Sequence, residues 1–109
     1  MVMKKIILSY LMAISMFSPN LSNANMLNSS HYSATYFANG INYYNKGEYN
    51  NAIEEFSHII IIIPDFAQAY YLRGFAYNDK GEYVNAANDF KRACDLKYED
   101  GCKALRIIS

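Results

Sequence analysis

The 109-residue chain has no tryptophan, only two cysteines, two prolines and five glycines, and only 18% of its residues are charged. Ten lysines and arginines balance ten acidic residues, so neither sign of charge is in excess. This argues against binding nucleic acid through its phosphates. Eleven tyrosines and six phenylalanines, by contrast, exclude ordinary disorder, because so much aromatic surface must be buried. The length allows one domain.

The sequence also lacks the common catalytic motifs. It has no glycine-rich phosphate loop, no Gly-x-Ser-x-Gly elbow, no histidine pair of metalloprotease spacing and no cysteine with a neighbouring histidine. His31 falls in a segment expected to be mobile, and His58 is expected on a helix surface. The two histidines are distant in sequence, and two cysteines alone cannot hold structural zinc. We therefore expect no catalytic residue, no metal site and no cofactor.

Residues 1–24 have the layout of a secretory signal peptide. Lys4 and Lys5 precede an apolar stretch at residues 6–17, which is too short to span about 30 Å of hydrocarbon as a helix. Cleavage is expected after Ala24, and no cysteine follows for lipid attachment. The sequence predicts an exported protein, periplasmic or secreted, without stable membrane insertion; a retained signal anchor is the alternative. Without these residues, eight basic and ten acidic residues give a net charge of −2.

The rest of the chain repeats itself with a period of 34 residues. In both units, aromatic and small residues fall on two stripes at helical spacing, separated by a Lys-Gly-Glu break, which predicts two antiparallel helices per unit. Glycine inside a helix is unfavourable, so its repetition predicts a close approach of helices, with a small residue facing a large one. The aligned pairs are Tyr36 with Tyr70, Gly40 with Gly74, Tyr43 with Tyr77, Gly47 with Gly81, Ala52 with Ala86 and Phe56 with Phe90.

Tyr36-x-x-Asn39-Gly40-x-x-Tyr43, Ala52-x-x-x-Phe56 and Pro64 together resemble a tetratricopeptide repeat, and the second unit resembles another. Asn39 and Arg73 stand where that family usually has leucine. The resemblance implies an all-α fold, a helix-turn-helix solenoid of two tetratricopeptide repeats plus a short C-terminal capping helix. The expected segments are a signal peptide at 1–24, a flexible N-terminal segment at 25–32, repeats at 33–66 and 67–100, and the capping helix at 101–109.

Five consecutive isoleucines, Ile59 to Ile63, conflict locally with this fold. By propensity alone the run would form a strand and an aggregation hazard. The repeat instead favours a helix that buries Ile59 and Ile62 with Phe56, while Ile60, Ile61 and Ile63 face partly outward. The outward residues contact the next helix or form a self-association patch; both interpretations stay open.

The two cysteines are eight residues apart, Cys94 near the end of the fourth predicted helix and Cys102 at the start of the last one. In an exported protein such a pair favours a disulfide, worth about 2 to 3 kcal/mol for so short a loop. Two reduced, separately buried thiols are the alternative. The sequence around the cysteines also resembles the Sel1-like relatives of the tetratricopeptide repeat, in which such pairs are bridged.

The tetratricopeptide resemblance also implies a function. Helix pairs of that family stack into a curved array, and a peptide or helix binds on the concave side formed by the first helix of each unit. Most implied groove positions are apolar or aromatic, so we expect an apolar or amphipathic segment of a protein partner as ligand. The competing interpretation is that these aromatic side chains pack against one another. The implied groove consists of Phe37, Ile41, Tyr44, Gln68, Tyr71, Leu72, Phe75 and Asn78.

The expected function is therefore that of an exported, non-catalytic scaffold or adaptor. A self-associating structural subunit, a homo-oligomer, is the alternative, because about three repeats are normally needed for an independent solenoid. A small exported enzyme or ligand carrier has the least support.

Overall fold

A computed structural model describes the backbone of residues 20–109 and the side chains of residues 29–109. The predicted signal peptide, residues 1–24, lies outside the residues whose side chains are described. The described backbone is all-α, with five helices, and confirms the predicted fold class. The helices are α1 (Asn20–Asn45), α2 (Tyr49–Ile62), α3 (Ala67–Lys80), α4 (Tyr83–Asp95) and α5 (Glu99–Ile108). None of these helices is long and apolar enough to cross a membrane.

The chain divides into two compact parts, residues 1–31 and Tyr32–Ser109, and the helix packing described below is that of the second part. Residues 25–32, for which the sequence predicts a flexible segment, are helical and belong to α1. The physical reason is that neither proline nor glycine interrupts the chain between residue 20 and Gly40.

Within residues 32–109, the helices pack in sequential pairs around two small clusters of buried side chains. Phe56 and Ile59 of α2 are buried with alanines of α2 and α3. Phe90 of α4 is buried with Ala86 and with Ala104 of α5. Each helix after α1 packs against the one before it. The first helices of the two repeats, α1 and α3, also lie side by side, where Tyr44 contacts Asp79.

Two glycines bring paired helices close together, as the repeat predicts. A Cβ atom on Gly40 would lie 2.6 Å from the Phe56 ring, and one on Gly74 would lie 2.7 Å from the Phe90 ring. Both distances are shorter than a carbon–carbon contact allows, so only glycine fits. The predicted pairing of a small residue with a large one is confirmed in both units.

The run of isoleucines is helical up to Ile62, as the repeat predicts. Ile59 is fully buried and Ile61 is 76% exposed, also as predicted. The prediction for Ile62 is wrong, because 37% of it is exposed. Ile60 packs on the core instead. Since α2 contacts both α1 and α3, its buried face is wider than a single stripe and turns toward Ile60.

The connection from α4 to α5 is shorter than its counterpart in the first unit. Four residues, 63–66, join α2 to α3, whereas three, 96–98, join α4 to α5. The last helix therefore begins at Glu99, two residues before the predicted capping helix at 101–109. Tyr98 replaces the proline that shapes the first connection, and α4 ends earlier, at Asp95. A disulfide joins Cys94 to Cys102 across this turn, with the two Cα atoms 4.6 Å apart, as predicted.

Candidate functional site

A groove runs between α1 and α3, and Phe56 of α2 also lines it. Three hollows of about 300, 190 and 350 Å³ follow one another along it. Phe37 and Gln68 line the first and second hollows, and Ile41 and Leu72 line the second and third. Because neighbouring hollows share their walls, they form one continuous groove with a mainly apolar surface.

A fourth hollow of about 260 Å³ lies between α3 and α5. Tyr71, Phe75 and Asn78 contribute its α3 side. All eight predicted groove residues therefore line at least one hollow, and the structure brings them together on one side of the helix pairs. The predicted set lacks several further lining residues. Those of α5 were missed because the two-residue shortening before α5 takes that helix out of the 34-residue pattern. The further lining residues include Asn45 of α1, Phe56 of α2, Tyr98 of the last connection and, on α5, Asp100, Lys103, Ile107 and Ile108.

The aromatic side chains of the groove also contact one another. Phe37 meets the Phe66 ring edge-on with the centroids 6.0 Å apart, and Tyr71 meets the Phe75 ring at 4.8 Å. These arrangements are the ones that aromatic rings favour. All four side chains are half-buried, so each ring contributes one side to packing and leaves another toward the groove. The two interpretations of the aromatic residues are thus compatible.

One end of the α1–α3 groove is closed by a polar contact between the two helices. The Tyr44 hydroxyl donates a short hydrogen bond to the carboxylate of Asp79. Burial raises the pKa of Tyr44 to about 12, and the hydrogen bond and the negative charge of Asp79 act in the same direction. The contact joins α1 of the first repeat to α3 of the second repeat at this end of the groove.

A buried ion pair lies behind the groove and joins three helices. Arg73 of α3 donates from Nε and Nη2 to the two carboxylate oxygens of Asp89 in α4, each at 2.8 Å. Its Nη1 atom donates to the Ser57 hydroxyl of α2 at 3.0 Å. Sequence reasoning missed this pair, because Arg73 was visible only as a departure from leucine.

The ionisation of this pair reflects two opposing effects. Burial by itself would lower the pKa of Arg73, but the hydrogen bonds and the charge of Asp89 outweigh it, so the guanidinium pKa is raised. Burial raises the pKa of Asp89, against the opposing effect of Arg73. Arg73 also lies 5.7 Å from the Tyr70 ring centroid and 5.8 Å from that of Tyr77, and these contacts suit its charge.

The first unit lacks the counterpart of this pair. Glu55 and Asn39 occupy the positions that correspond to Asp89 and Arg73, 34 residues earlier. Asn39 is exposed, and the Oε2 atom of Glu55 is buried without a hydrogen-bond partner. The buried carboxylate at this position therefore has its hydrogen bonds satisfied in the second repeat, by Arg73, but not in the first.

His58 lies on α2 beside an aromatic ring and a carboxylate. His58 stacks on Tyr36 with ring centroids 4.9 Å apart, and its Nε2 atom lies 3.9 Å from Glu54. Within the part of the chain that the structure describes, no three histidine, cysteine or acidic side chains are placed to hold a metal ion.

Comparison with known proteins supports one of the two units directly. The family model of the tetratricopeptide repeat matches residues 67–100, which are the bounds predicted for the second repeat. No curated protein and no solved structure matches the chain. Such a repeat implies a protein-interaction module and is typically non-catalytic, and no catalytic family matches. The chain thus contains a tetratricopeptide repeat at residues 67–100, within an all-α arrangement of sequential helix pairs that is consistent with this family.

Proposed function

We propose that the chain is an exported adaptor that binds an apolar or amphipathic segment of a partner protein in the α1–α3 groove. The observation that carries the proposal is the continuity of the groove, whose three hollows share Phe37, Ile41, Gln68 and Leu72 as walls. Bound ligands favour concave, mainly apolar sites with a few polar groups. Gln68 and Asn45 supply such polar groups here.

The size of the groove suits a short segment. Phe37 and Tyr44 are seven residues apart on one helix, a distance of about 10 Å along its axis. Two turns of an amphipathic helix, or three to four residues of an extended peptide, cover that length. The groove therefore accommodates two or three apolar side chains of a partner.

Export is the second part of the proposal. Its support is the sequence of residues 1–24, with two lysines before an apolar stretch and small residues before the expected cleavage position. The disulfide between Cys94 and Cys102 agrees with it, because disulfides persist in oxidising compartments.

Selection from a random peptide display library on the purified chain tests the binding function. We expect the selected peptides to carry apolar residues at helical or alternating spacing. The variant Ile41→Ser should bind them about tenfold more weakly, since an apolar wall of the groove becomes polar. Ile61→Ser, which changes an exposed isoleucine of α2 that lines none of the hollows, is the matched control and should bind normally. Equal weakening by both variants, or by neither, would contradict the proposal.

A further inference from the structure

The concave surface does not end at α3 but continues onto α5. Tyr71 and Phe75 line both the α1–α3 groove and the hollow between α3 and α5. On its other side this hollow is lined by Asp100, Lys103 and Ile107 of α5. A ligand that lies across the groove therefore meets α5 directly beyond the shared aromatic wall. We call this fourth hollow the α5 trough.

Ile107 makes the α5 trough apolar at its rim. Its side chain is 83% exposed, the highest value among the large apolar side chains of the described residues. An isolated exposed isoleucine needs no explanation, but Ile107 adjoins the half-buried rings of Tyr71 and Phe75 in one hollow. The exposed apolar surface is thus continuous from the α1–α3 groove to the last turn of α5.

The position of α5 is determined by close packing and by the disulfide. A Cβ atom on Gly101 would lie 2.7 Å from Cβ of Ala93 and 3.1 Å from the backbone nitrogen of Cys94. The disulfide to Cys102 joins the same two helices one residue further on. The α5 trough is therefore preformed, which lowers the entropic cost of binding.

Three described carboxylates, those of Asp79, Glu99 and Asp100, lie at or beside the concave surface, against one ammonium group, that of Lys103. Asp79 lies at one end of the α1–α3 groove, where it accepts the Tyr44 hydrogen bond, and Asp100 lines the α5 trough. Lys103 is the cation among the described residues that line this trough. It lies 3.9 Å from Asp100 and 3.6 Å from Glu99, so two acidic groups already oppose its charge. A ligand with positive charge is favoured by this surface and one with negative charge is not.

Building on the proposed function, we propose that the α1–α3 groove and the α5 trough together bind a cationic amphipathic segment of a partner protein. Its apolar side chains occupy the groove and the α5 trough, against Leu72 and Ile107. Its lysine or arginine side chains lie beside Asp100 and Asp79. An acidic segment of the same apolar pattern binds more weakly, because it meets these carboxylates with like charge.

Two labelled model peptides test this proposal on the full chain by fluorescence anisotropy. Both have leucine at positions i, i+3, i+4 and i+7, and their remaining positions are lysine in one and glutamate in the other. We expect the lysine peptide to bind about tenfold more tightly at low salt. The difference should shrink as added salt screens the exposed charges.

Variants with matched controls locate the binding surface. Ile107→Ser should weaken binding of the lysine peptide about fivefold, and Asp100→Asn should reduce its advantage over the glutamate peptide. Val84→Ser and Glu54→Gln change exposed side chains that line none of these hollows and should leave both affinities unchanged. Circular dichroism melts establish that all four variants are folded.

The possible failures are distinguishable. If both peptides bind equally well, and Ile41→Ser weakens them while Ile107→Ser does not, the extension to α5 and the charge preference are overturned but the groove function stands. If neither peptide binds, or if Val84→Ser weakens binding as much as Ile41→Ser, the proposed function fails together with this inference.

Discussion

At the scale of single residues, Arg73 and Asp89 form the most buried ion pair among the described residues. Its Asp89 side chain is 7% exposed, and its two hydrogen bonds join α3 to α4. Forming such a pair costs desolvation, so the pair as a whole need not add much stability. Removing one partner is different, because the other charge then stays buried without compensation.

We therefore expect Asp89→Asn to lower the free energy of unfolding by about 3 kcal/mol. The chain offers a control at the same distance, since Lys91 and Asp95 also lie 2.8 Å apart but are half exposed or more. Asp95→Asn should leave the free energy of unfolding nearly unchanged, because solvent screens this exposed pair. Urea denaturation of both variants measures the difference. Equal losses would show that burial of Asp89 does not determine its contribution.

The raised pKa of Tyr44 leads us to expect that the stability of the fold depends on pH. Its pKa of about 12 in the folded chain lies above the ordinary value of 10.0, so the folded state binds the phenol proton more tightly. This contribution to stability is fully present below pH 10 and is lost as the pH rises toward 12.

Urea denaturation between pH 9 and pH 12 tests this prediction. Tyr44→Phe should be less stable than the unmodified chain at pH 9, with the difference shrinking as the pH rises, because a phenylalanine side chain has no proton to lose. Tyr83→Phe, which changes an exposed tyrosine of α4, should follow the unmodified chain throughout. A constant difference between Tyr44→Phe and the unmodified chain over this range would contradict the assignment.

At the scale of helices, three helix ends share one geometry but not one residue type. Gly47, Gly81 and Lys97 all have positive φ, of 77°, 91° and 70°. The residue after each donates its backbone N–H to the carbonyl five residues earlier, as from Glu48 to Tyr43. This is the Schellman motif, in which glycine is favoured because a Cβ atom makes positive φ unfavourable.

Lys97→Gly should consequently stabilise the chain, by about 1 kcal/mol. In a domain of this size the melting temperature should rise by roughly 4 to 8 °C. Lys97→Ala removes the same side chain without relieving the backbone and should leave the melting temperature nearly unchanged. Thermal melts under oxidising conditions keep the disulfide intact in all three chains. A rise of equal size in both variants would assign the effect to the lysine side chain instead.

The features that recur in both repeats could be predicted from the sequence, and the features that occur in only one of them could not. Gly40 and Gly74 recur with Phe56 and Phe90, so the helix pairs and the α1 and α3 walls of the groove could be predicted. Lys97 carries no local sign of positive φ. Its turn shortens the connection to α5 and moves Ile107 out of the 34-residue pattern. The partner of Arg73 was equally hidden, because Asn39 and Glu55 in the first unit do not form the corresponding pair.

At the scale of the whole molecule, the proposed function combines an interaction surface with export. Residues 1–24 predict that the chain leaves the cytoplasm and loses its leader after Ala24. Mass spectrometry of the protein recovered from the periplasm or medium of an expressing bacterium should show Asn25 as its first residue. It should also show the loss of two hydrogens at Cys94 and Cys102. A chain that still begins at Met1, or that is recovered only from the cytoplasm, would contradict export.

The central claim is that the concave groove between α1 and α3 binds a partner segment. The most direct test is the change in backbone amide NMR shifts when the leucine–lysine peptide is added to the isotope-labelled chain. We expect the largest changes at Ile41, Leu72 and Phe75. Ile61 and Val84, which are exposed on other surfaces, should change little. Changes centred on Ile61 or Val84, or no change at saturating peptide, would contradict it.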